Sequence, residues 1–362
     1  MLISKNINSR LLEKTYETGN YSSLRELISE EILFDNTERS LIINTANCEI
    51  CEGWVMVSKN AIFKNKNAIY EYIENRGNRL SWITSNGVYV KIPWSIDPYT
   101  EDGYARRLGN NQGMIEYQLF KETGEKFYYN ITMSKLKSLF NLERDPSGIW
   151  YSEYTSTYIS NFGIKAPYID TRYNEQIAEF LTIMYDDFSF LELEDTNLLY
   201  PNYLLKEINS GNIIYVDDDC FLIPDYFDAY TTNMTHASLN HQLGTANLLL
   251  NVYFITGNSQ YYDAGMKIFK GVAYWGDSWI RDNGDLWYKI DLEYVFSETD
   301  YPIVTLDDLL KAQQNLEKTD HGRIEIFDTY IASKYNYLTK NDINIPIYTR
   351  TMIEEQQVNI ER

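Results

Sequence analysis

The sequence predicts a mainly α-helical chain: a toroid-like (α/α) barrel of helical hairpins, with a smaller N-terminal β-rich region. Three observations point there. FKETGEKFYY at 120–129 and FITGNSQYY at 254–262 both set Thr-Gly between two helical patterns, with a tyrosine pair behind it. SGIWY at 147–151 is echoed, in the same order, by NGDLWY at 283–288. Residues 39–96 instead read as short β-branched or aromatic runs (LIINTA, GWVMVS, LSWITS, GVYVKIPW) separated by Asn, Gly and Lys. The plainer alternative is two similar αα-hairpins without a closed ring.

Taken in order, 1–38 reads as a helical segment, with Leu11, Leu12, Leu24, Leu27, Ile28 and Ile32 as apolar positions and a break at Gly19-Asn20. The β-rich region is placed at 39–100, and Asn86-Gly87 between two apolar runs is its hairpin signal. The toroid-like domain is placed at 101–290. Its expected helices run from Tyr104 to Glu122, stopped by Thr123-Gly124, then Lys126 to Phe140, Asn174 to Phe188, and Leu198 to Ile208. Ser210-Gly211 is a turn followed by a short β-like run, Ile213 to Val216. Thr231, Thr232 and Asn233 offer N-caps to a long helix ending near Phe254. Residues 291–362 read as a helical C-terminal extension that ends in a polar tail.

Composition narrows the partners. The chain has 362 residues, a formal net charge of −20 and 32 tyrosines. Such acidity argues against nucleic acid and anionic membrane surfaces. No apolar run reaches the ~18 residues that span a bilayer, and no apolar leader is visible. The expectation is a cytoplasmic protein with Cys48, Cys51 and Cys220 reduced. The CxxC at 48–51 lacks a second pair, so packed thiols are the simpler reading. Half-buried tyrosines suit a saccharide cleft and ordinary packing alike. There is no GxSxG, P-loop or GxGxxG, and His236, His241 and His321 show no HExxH spacing.

Three blocks, spanning about 105–275, carry a family likeness. Gln112-Gly113 precedes a helix ending in Thr-Gly. Trp150-Tyr151-Ser152-Glu153-Tyr154 is an aromatic–acid block. Gly211 to Leu243 runs turn, Ile-Tyr, loop, Tyr, Thr-Thr, His, Gln-Leu. Together they resemble the C-terminal domain of the D-glucuronyl C5-epimerases, which invert C5 of uronic acids in heparosan-type polymers. The resemblance implies a sugar epimerase with a saccharide substrate, no cofactor and no metal; a homodimer is compatible with it. Glu153, Tyr154, Tyr215 and Tyr230 would be catalytic, and His236, Arg172, Trp150 and Gln112 would bind substrate. Inversion needs a base on one face of the carbon and an acid on the other. Bringing a tyrosine from ~10 towards 7 asks for about 4 kcal/mol of differential stabilisation from a cation or strong donors.

The sequence departs from the family just after the Ile-Tyr. An arginine suited to a uronate carboxylate is replaced by Asp217-Asp218-Asp219. Three acids would repel a uronate and raise a neighbouring tyrosine pKa. Arg106, Arg107, Arg172 or Arg281 could supply the cation, or a divalent ion held by Asp217, Asp218 and Asp219 could reverse the local sign. A solvated acidic loop is the alternative. Two other functions stay open: a glycoside hydrolase or polysaccharide lyase pairing Glu153 with an aspartate of 217–219, and a non-catalytic saccharide-binding relative.

Overall fold

A computed structural model describes residues 2–3, 7–15, 21–28, 33–35, 40–42, 50–52, 55–56, 58–68, 70, 83–84, 87–88, 97–98, 113–141, 148–152, 154–155, 157–190, 193, 195–228 and 233–357. Two units divide the chain: Met1–Asp145 with Trp150–Ile169, and Pro146–Ile149 with Asp170–Arg362. The class is mainly α with small sheets. Among the described residues the helices that matter here are α1 Met114–Thr123, α2 Lys126–Asn141, α3 Thr157–Ser160, α4 Thr171–Phe188, α5 Leu199–Asn209, α6 Leu239–Thr256, α7 Ser259–Ala273, α8 Val304–Glu317, α9 Glu325–Lys340 and α10 Ile347–Glu355.

In the first unit the expected helix over 1–38 is replaced by strands. β1 (Ile7–Thr15) pairs antiparallel with β2 (Tyr21–Ile28) and, on its other edge, with β3 (Ile50–Glu52). The register sets Ile7 opposite Ile28 and Leu11 opposite Leu24. Apolar positions that look like a helical stripe along the chain are thus partners across a ladder, and Gly19-Asn20 falls between the two strands rather than inside a helix. Short ladders continue through the expected β region. Ile83–Thr84 pairs with Gly87–Val88 across residues 85–86, one step before the Asn-Gly signal. The helical hairpin α1–α2 packs on Ile62 and Phe63, with Phe63 and Phe127 stacked at 4.8 Å.

The Thr-Gly repeat is one structural device used twice. Gly124 and Gly257 both end a helix in the left-handed region, φ +63° and +68°. Their N–H groups donate to Phe120 O at 2.7 Å and Tyr253 O at 2.8 Å. Thr123 donates its hydroxyl to Leu119 O and accepts from Glu125 N; Thr256 does the same with Val252 O and Asn258 N. Each αα-hairpin therefore stops one helix and aims the next with the same three bonds.

In the second unit α6 is buried on nearly every side from Leu239 to Val252, as a helix at the centre of its neighbours must be. α4, α7 and α8 pack against it, and α9 and α10 pack on α8. The C-terminal helices thus share one unit with α4–α7. α6 starts later than Thr231–Asn233 would place it. Residues 233–238 are extended, and β7 (Ala237–Ser238) pairs with β8 (Trp287–Ile290), which pairs with β9 (Phe296–Thr299). A second hairpin, β4 (Ile214–Asp217) with β5 (Cys220–Leu222), follows the predicted turn, where Gly211 has φ +81°. A Cβ at Gly271 of α7 would lie 2.3 Å from Phe221 O, so glycine lets this helix lie directly on β5.

Among the described residues no helix is long and apolar enough to cross a membrane.

Candidate active site

At the N-terminal ends of α4 and α6 lies a set of buried polar side chains with Asp225 at its centre. Asp225 has no exposed surface. It stands just ahead of β6 (Tyr226–Asp228), and its N–H donates to His236 O at 2.9 Å, which ties the two extended segments together. One carboxylate oxygen accepts Ser238 N at 2.7 Å. The other accepts the Ser238 hydroxyl and lies 3.1 Å from His236 Nε2. The bond to Ser238 N–H caps the start of α6 from outside the helix, and this is why the helix begins after Ser238.

His241, on the first turn of α6, has Nδ1 2.8 Å from Thr171 Oγ1 and 3.7 Å from Asp225 Oδ1. The Thr171 hydroxyl donates to Asp225 O at 2.9 Å, so its oxygen is left to accept. That assigns the Nδ1–H tautomer to His241 and puts the lone pair on Nε2. The Tyr226 ring stands 6.0 Å from each imidazole, edge to face, and Tyr288 stands 6.4 Å from His236. A carboxylate, two imidazoles and two phenol rings are thereby gathered in one place.

Burial pushes the Asp225 carboxyl up, but His241, His236 and the Ser238 bond outweigh it and hold it below the ordinary carboxylate range. Burial drives His241 down to about 4, against the pull of Asp225. At neutral pH the pair is therefore a carboxylate beside a neutral imidazole. Asp170 caps α4 by accepting Tyr173 N at 3.0 Å. Burial lifts it to about 7, with Asp225 adding to the rise and the Tyr173 bond opposing it.

A second polar cluster joins α4, α6 and α8. Arg172 reaches Asp308 at 2.9 Å, Glu175 at 3.0 Å and Asn240 O at 3.2 Å. Glu175 Oε2 and Asp308 Oδ2 sit at ion-pairing distance without hydrogen-bond alignment. Burial opposes the Arg172 charge, but Asp308 and Glu175 more than restore it. Glu175 is pushed up to about 8 by burial, against the pull of Arg172. Beside them opens a cleft lined by Glu179, Asn247, Asn251 and Lys311.

Gly244 makes this arrangement fit. A Cβ there would lie 1.9 Å from Arg172 Nη1 and 2.9 Å from Glu175 Oε2. Glycine to alanine inside a helix ordinarily stabilises by up to ~1 kcal/mol. Here Gly244→Ala should instead destabilise, by about 3 kcal/mol, the low end for breaking a buried ion pair. A urea midpoint at or above that of the wild type would show that Arg172 moves aside without loss.

Stability should also depend on pH with a definite sign. A carboxyl whose folded pKa lies above its unfolded value takes up a proton on folding. Its stabilisation is complete below the unfolded value and is lost as pH rises through the folded one. For Asp300, Asp170 and Glu175 that loss falls near pH 6, 7 and 8. His241 runs the other way: its contribution is present above the unfolded value of 6.5 and is lost as pH falls through about 4. Between about pH 5.5 and 8.5 the carboxyls prevail, each contributing a slope of up to ~1.4 kcal/mol per pH unit. Urea unfolding should show a lower midpoint at the alkaline end; a rising midpoint would contradict these protonation states.

The structure brings together two of the eight residues named from sequence, His236 beside Asp225 and Arg172 on the adjoining turn of α4. Tyr215 lies elsewhere, 56% exposed on the β4–β5 hairpin. It donates to Asp218 at 2.8 Å, and that bond raises its pKa, which is the direction expected of the triple acid and the wrong one for a base. Asp217, Asp218 and Asp219 form the exposed end of this hairpin, and no group of three or more His, Cys, Asp or Glu among the described residues could hold a metal ion. Trp150 is a correction: its indole is 1% exposed and donates to Leu139 O at 3.1 Å, so it packs inside the first unit and offers no face to a sugar. Glu153, Tyr230 and Gln112 lie outside the described residues, as does the side chain of Tyr154, whose backbone pairs with Pro98. Cys220 is a free buried thiol; the side chains of Cys48 and Cys51 are outside the description.

Sequence reasoning missed Asp225, His241, Thr171, Tyr226 and Tyr288. The spacing of five between His236 and His241 matches no helix face, because only His241 is on the helix. The one available signal was the isolated Pro224-Asp225 between apolar runs, an acid that local pattern would leave unpaired.

No family model matches the chain, and no curated protein does. Among solved structures, the cellobiose 2-epimerase from Bacillus thermoamylovorans B4167 is similar with a TM-score of 0.54 at 12% identity, over 76% of this chain and 69% of that one. A D-mannose isomerase is similar with a TM-score of 0.52 at 13% identity, over 75% and 70%. The likeness shows the fold, an (α/α) toroid-like helical barrel.

Proposed function

We propose that the chain is a carbohydrate-active enzyme that moves a proton on a carbon of a neutral sugar, an isomerase or epimerase reaction. The observation that carries this is the Asp225 carboxylate buried between His236 and His241. Taking a proton from a carbon beside a carbonyl needs a base that is unprotonated at working pH, and a counter-charge for the cation it becomes. His241 is neutral above about pH 4, and its Nε2 holds the lone pair. Asp225, with the Thr171 bond, fixes the ring and stabilises the imidazolium once formed, the same logic as an Asp–His pair in acyl transfer. His236 is the second proton carrier on the same carboxylate. Tyr226 and Tyr288 pack against the imidazoles and hold them in place.

A neutral sugar fits better than a uronate because Arg172, the cation at hand, already faces Asp308 and Glu175. The two proteins of similar fold are named for cellobiose and D-mannose, which are also neutral. Inversion at C5 of a uronate is the finer alternative within the same chemistry. It would rest on Tyr154 and Tyr230 and would need a cation from elsewhere.

A second reading has its own support. Asp170, at about 7, and Asp225, held low, are carboxyls whose environments push them apart, as an acid and a base of glycoside hydrolysis require.

Incubation with D-mannose, D-glucose, cellobiose and D-glucuronate in deuterated water separates these readings. The first predicts solvent deuterium on the ring or chain carbon next to the carbonyl of a neutral sugar, read by NMR. Deuterium at C5 of the uronate would favour the C5 form. Cleavage of cellobiose without exchange would favour hydrolysis, and an inert protein across the panel would sink the proton-transfer reading for these sugars.

A further inference from the structure

The surface around the β8–β9 hairpin tip carries aromatic rings that the proposed centre does not use. Tyr294 is 41% exposed, Tyr274 54% and Tyr215 56%, with Leu292 and Val295 exposed beside them. Their rings are fixed. The Tyr294 hydroxyl donates to Tyr215 O at 2.7 Å, and the Tyr215 hydroxyl is held by Asp218 at 2.8 Å. Trp275 lies 5.1 Å from Tyr294 at 37°, Tyr274 stands edge-on to Trp275 at 5.3 Å, and Phe296 closes the base at 5.9 Å from Trp275.

Tyr294 occupies a position that tyrosine does not favour. Its φ is +63°, where glycine or asparagine would be easier. The turn enforces it: Asp291 Oδ1 accepts Glu293 N at 2.9 Å and Val295 N at 2.8 Å, and Tyr294 N donates to Asp291 O at 3.1 Å. Among the described residues, the strained φ is offset in the fold only by the hydroxyl bond to Tyr215 O and the contact with Trp275. The hydroxyl bond lays the ring beside Trp275 instead of letting it swing in solvent.

We infer that Tyr294, Trp275, Tyr274 and Tyr215 form a rigid platform that binds the flat C–H face of a neutral saccharide, at a site separate from Asp225 and its histidines. A rigid aromatic face loses little conformational freedom on binding. Anions are disfavoured by Asp217, Asp218, Asp219, Asp291 and Glu293 around it. A cation would be drawn by the same acids, so a cationic peptide is the competing occupant, and the geometry of the rings decides between the two. The two central rings, 37° apart, form a floor rather than the walls of a cage suited to a cation. The inference does not depend on the proton-transfer reading; a hydrolase or a binding protein could carry the same platform.

The test is calorimetric titration of the full chain with cellotetraose, mannotetraose and maltotetraose, with hexalysine as the cationic probe. At least one tetrasaccharide should bind, and Tyr294→Gly should weaken it about tenfold, the loss of one stacked ring. Glycine relieves the positive φ but gives up the bond to Tyr215 O, two effects of similar size and opposite sign, so this variant should melt close to the wild type while exchange at the proposed centre is unchanged. If it melts lower, Tyr274→Ala, a ring deletion off the turn, decides in its place with the same expected loss. Three outcomes overturn the inference: none of the tetrasaccharides binds, binding survives the ring deletion, or hexalysine binds through Tyr294 where the sugars do not.

Discussion

Replacing Lys334 with methionine should destabilise the second unit by about 3–5 kcal/mol, the usual cost of stripping the counter-charge from a buried ion group. Lys334 has no exposed side-chain surface, and its ammonium lies 2.6 Å from Asp285 and 2.8 Å from Asp300. Thr305 adds a bond to Asp300 at 2.6 Å. Asp285 precedes β8 and Asp300 follows β9, so one α9 lysine holds both feet of the hairpin that brings Tyr288 to His236. Burial already lifts Asp300 to about 6, with Lys334 the largest force holding it down. Without the lysine, among the described residues, Asp300 would keep only the Thr305 hydroxyl and Asp285 only Arg281, at 3.5 Å. Whole domains are stable by only ~5–15 kcal/mol, so the single variant should lose its cooperative urea transition or show it shifted far down. Adding Asp285→Asn and Asp300→Asn removes the stranded charge and should recover more than half of the loss, because a buried ion group is worth little net against neutral partners. A loss under about 1 kcal/mol for the single variant would mean that water reaches the site and solvates the acids.

The helical half of this architecture was legible because its signals are local. Thr123-Gly124 and Thr256-Gly257 stop helices with their own side chains and a left-handed glycine, so the four residues that make the cap are also the four that announce it. The run Leu239–Val252 has leucines and valine spread round the helix because the helix is buried on nearly every side. The N-terminal strands were not legible. Leu11 and Leu24 face each other only through a register set by pairing thirteen residues apart, and their spacing along the chain imitates a helix.

The site was legible in proportion to how local its chemistry is. Tyr215 beside three aspartates has the raised pKa that its neighbours in sequence imply. His236 was named from its place in a motif, but its role is set by Asp225, eleven residues away and held by a backbone bond that no periodicity reports. Arg172 was named as a replacement cation. Only the fold shows that Asp308, 136 residues on, has already claimed it. Polar side chains buried at helix ends break the apolar pattern, and a pattern-based reading treats them as surface.

Asp225→Asn should abolish most of the proposed proton exchange while leaving much of the fold. The substitution keeps the shape and removes the charge. It also puts an N–H₂ where the carboxylate now accepts from Ser238 N, the Ser238 hydroxyl and His236 Nε2. One of these bonds must break, at about 1.5–3 kcal/mol for a bond to a charged group. The chemical loss should be larger. With the carboxylate gone, nothing would steady the imidazolium that the proposed reaction forms on His241 or His236, and a positioned acid or base is worth ~10²–10⁴ in rate. Ser238→Ala separates the two effects, since it deletes one bond to Asp225 but keeps the charge. It should lose comparable stability, read as urea midpoint, and retain deuterium exchange within about tenfold of the wild type. Should Asp225→Asn and Ser238→Ala lose exchange equally, Asp225 would be a staple between two extended segments, and the proton carriers would have to be sought elsewhere.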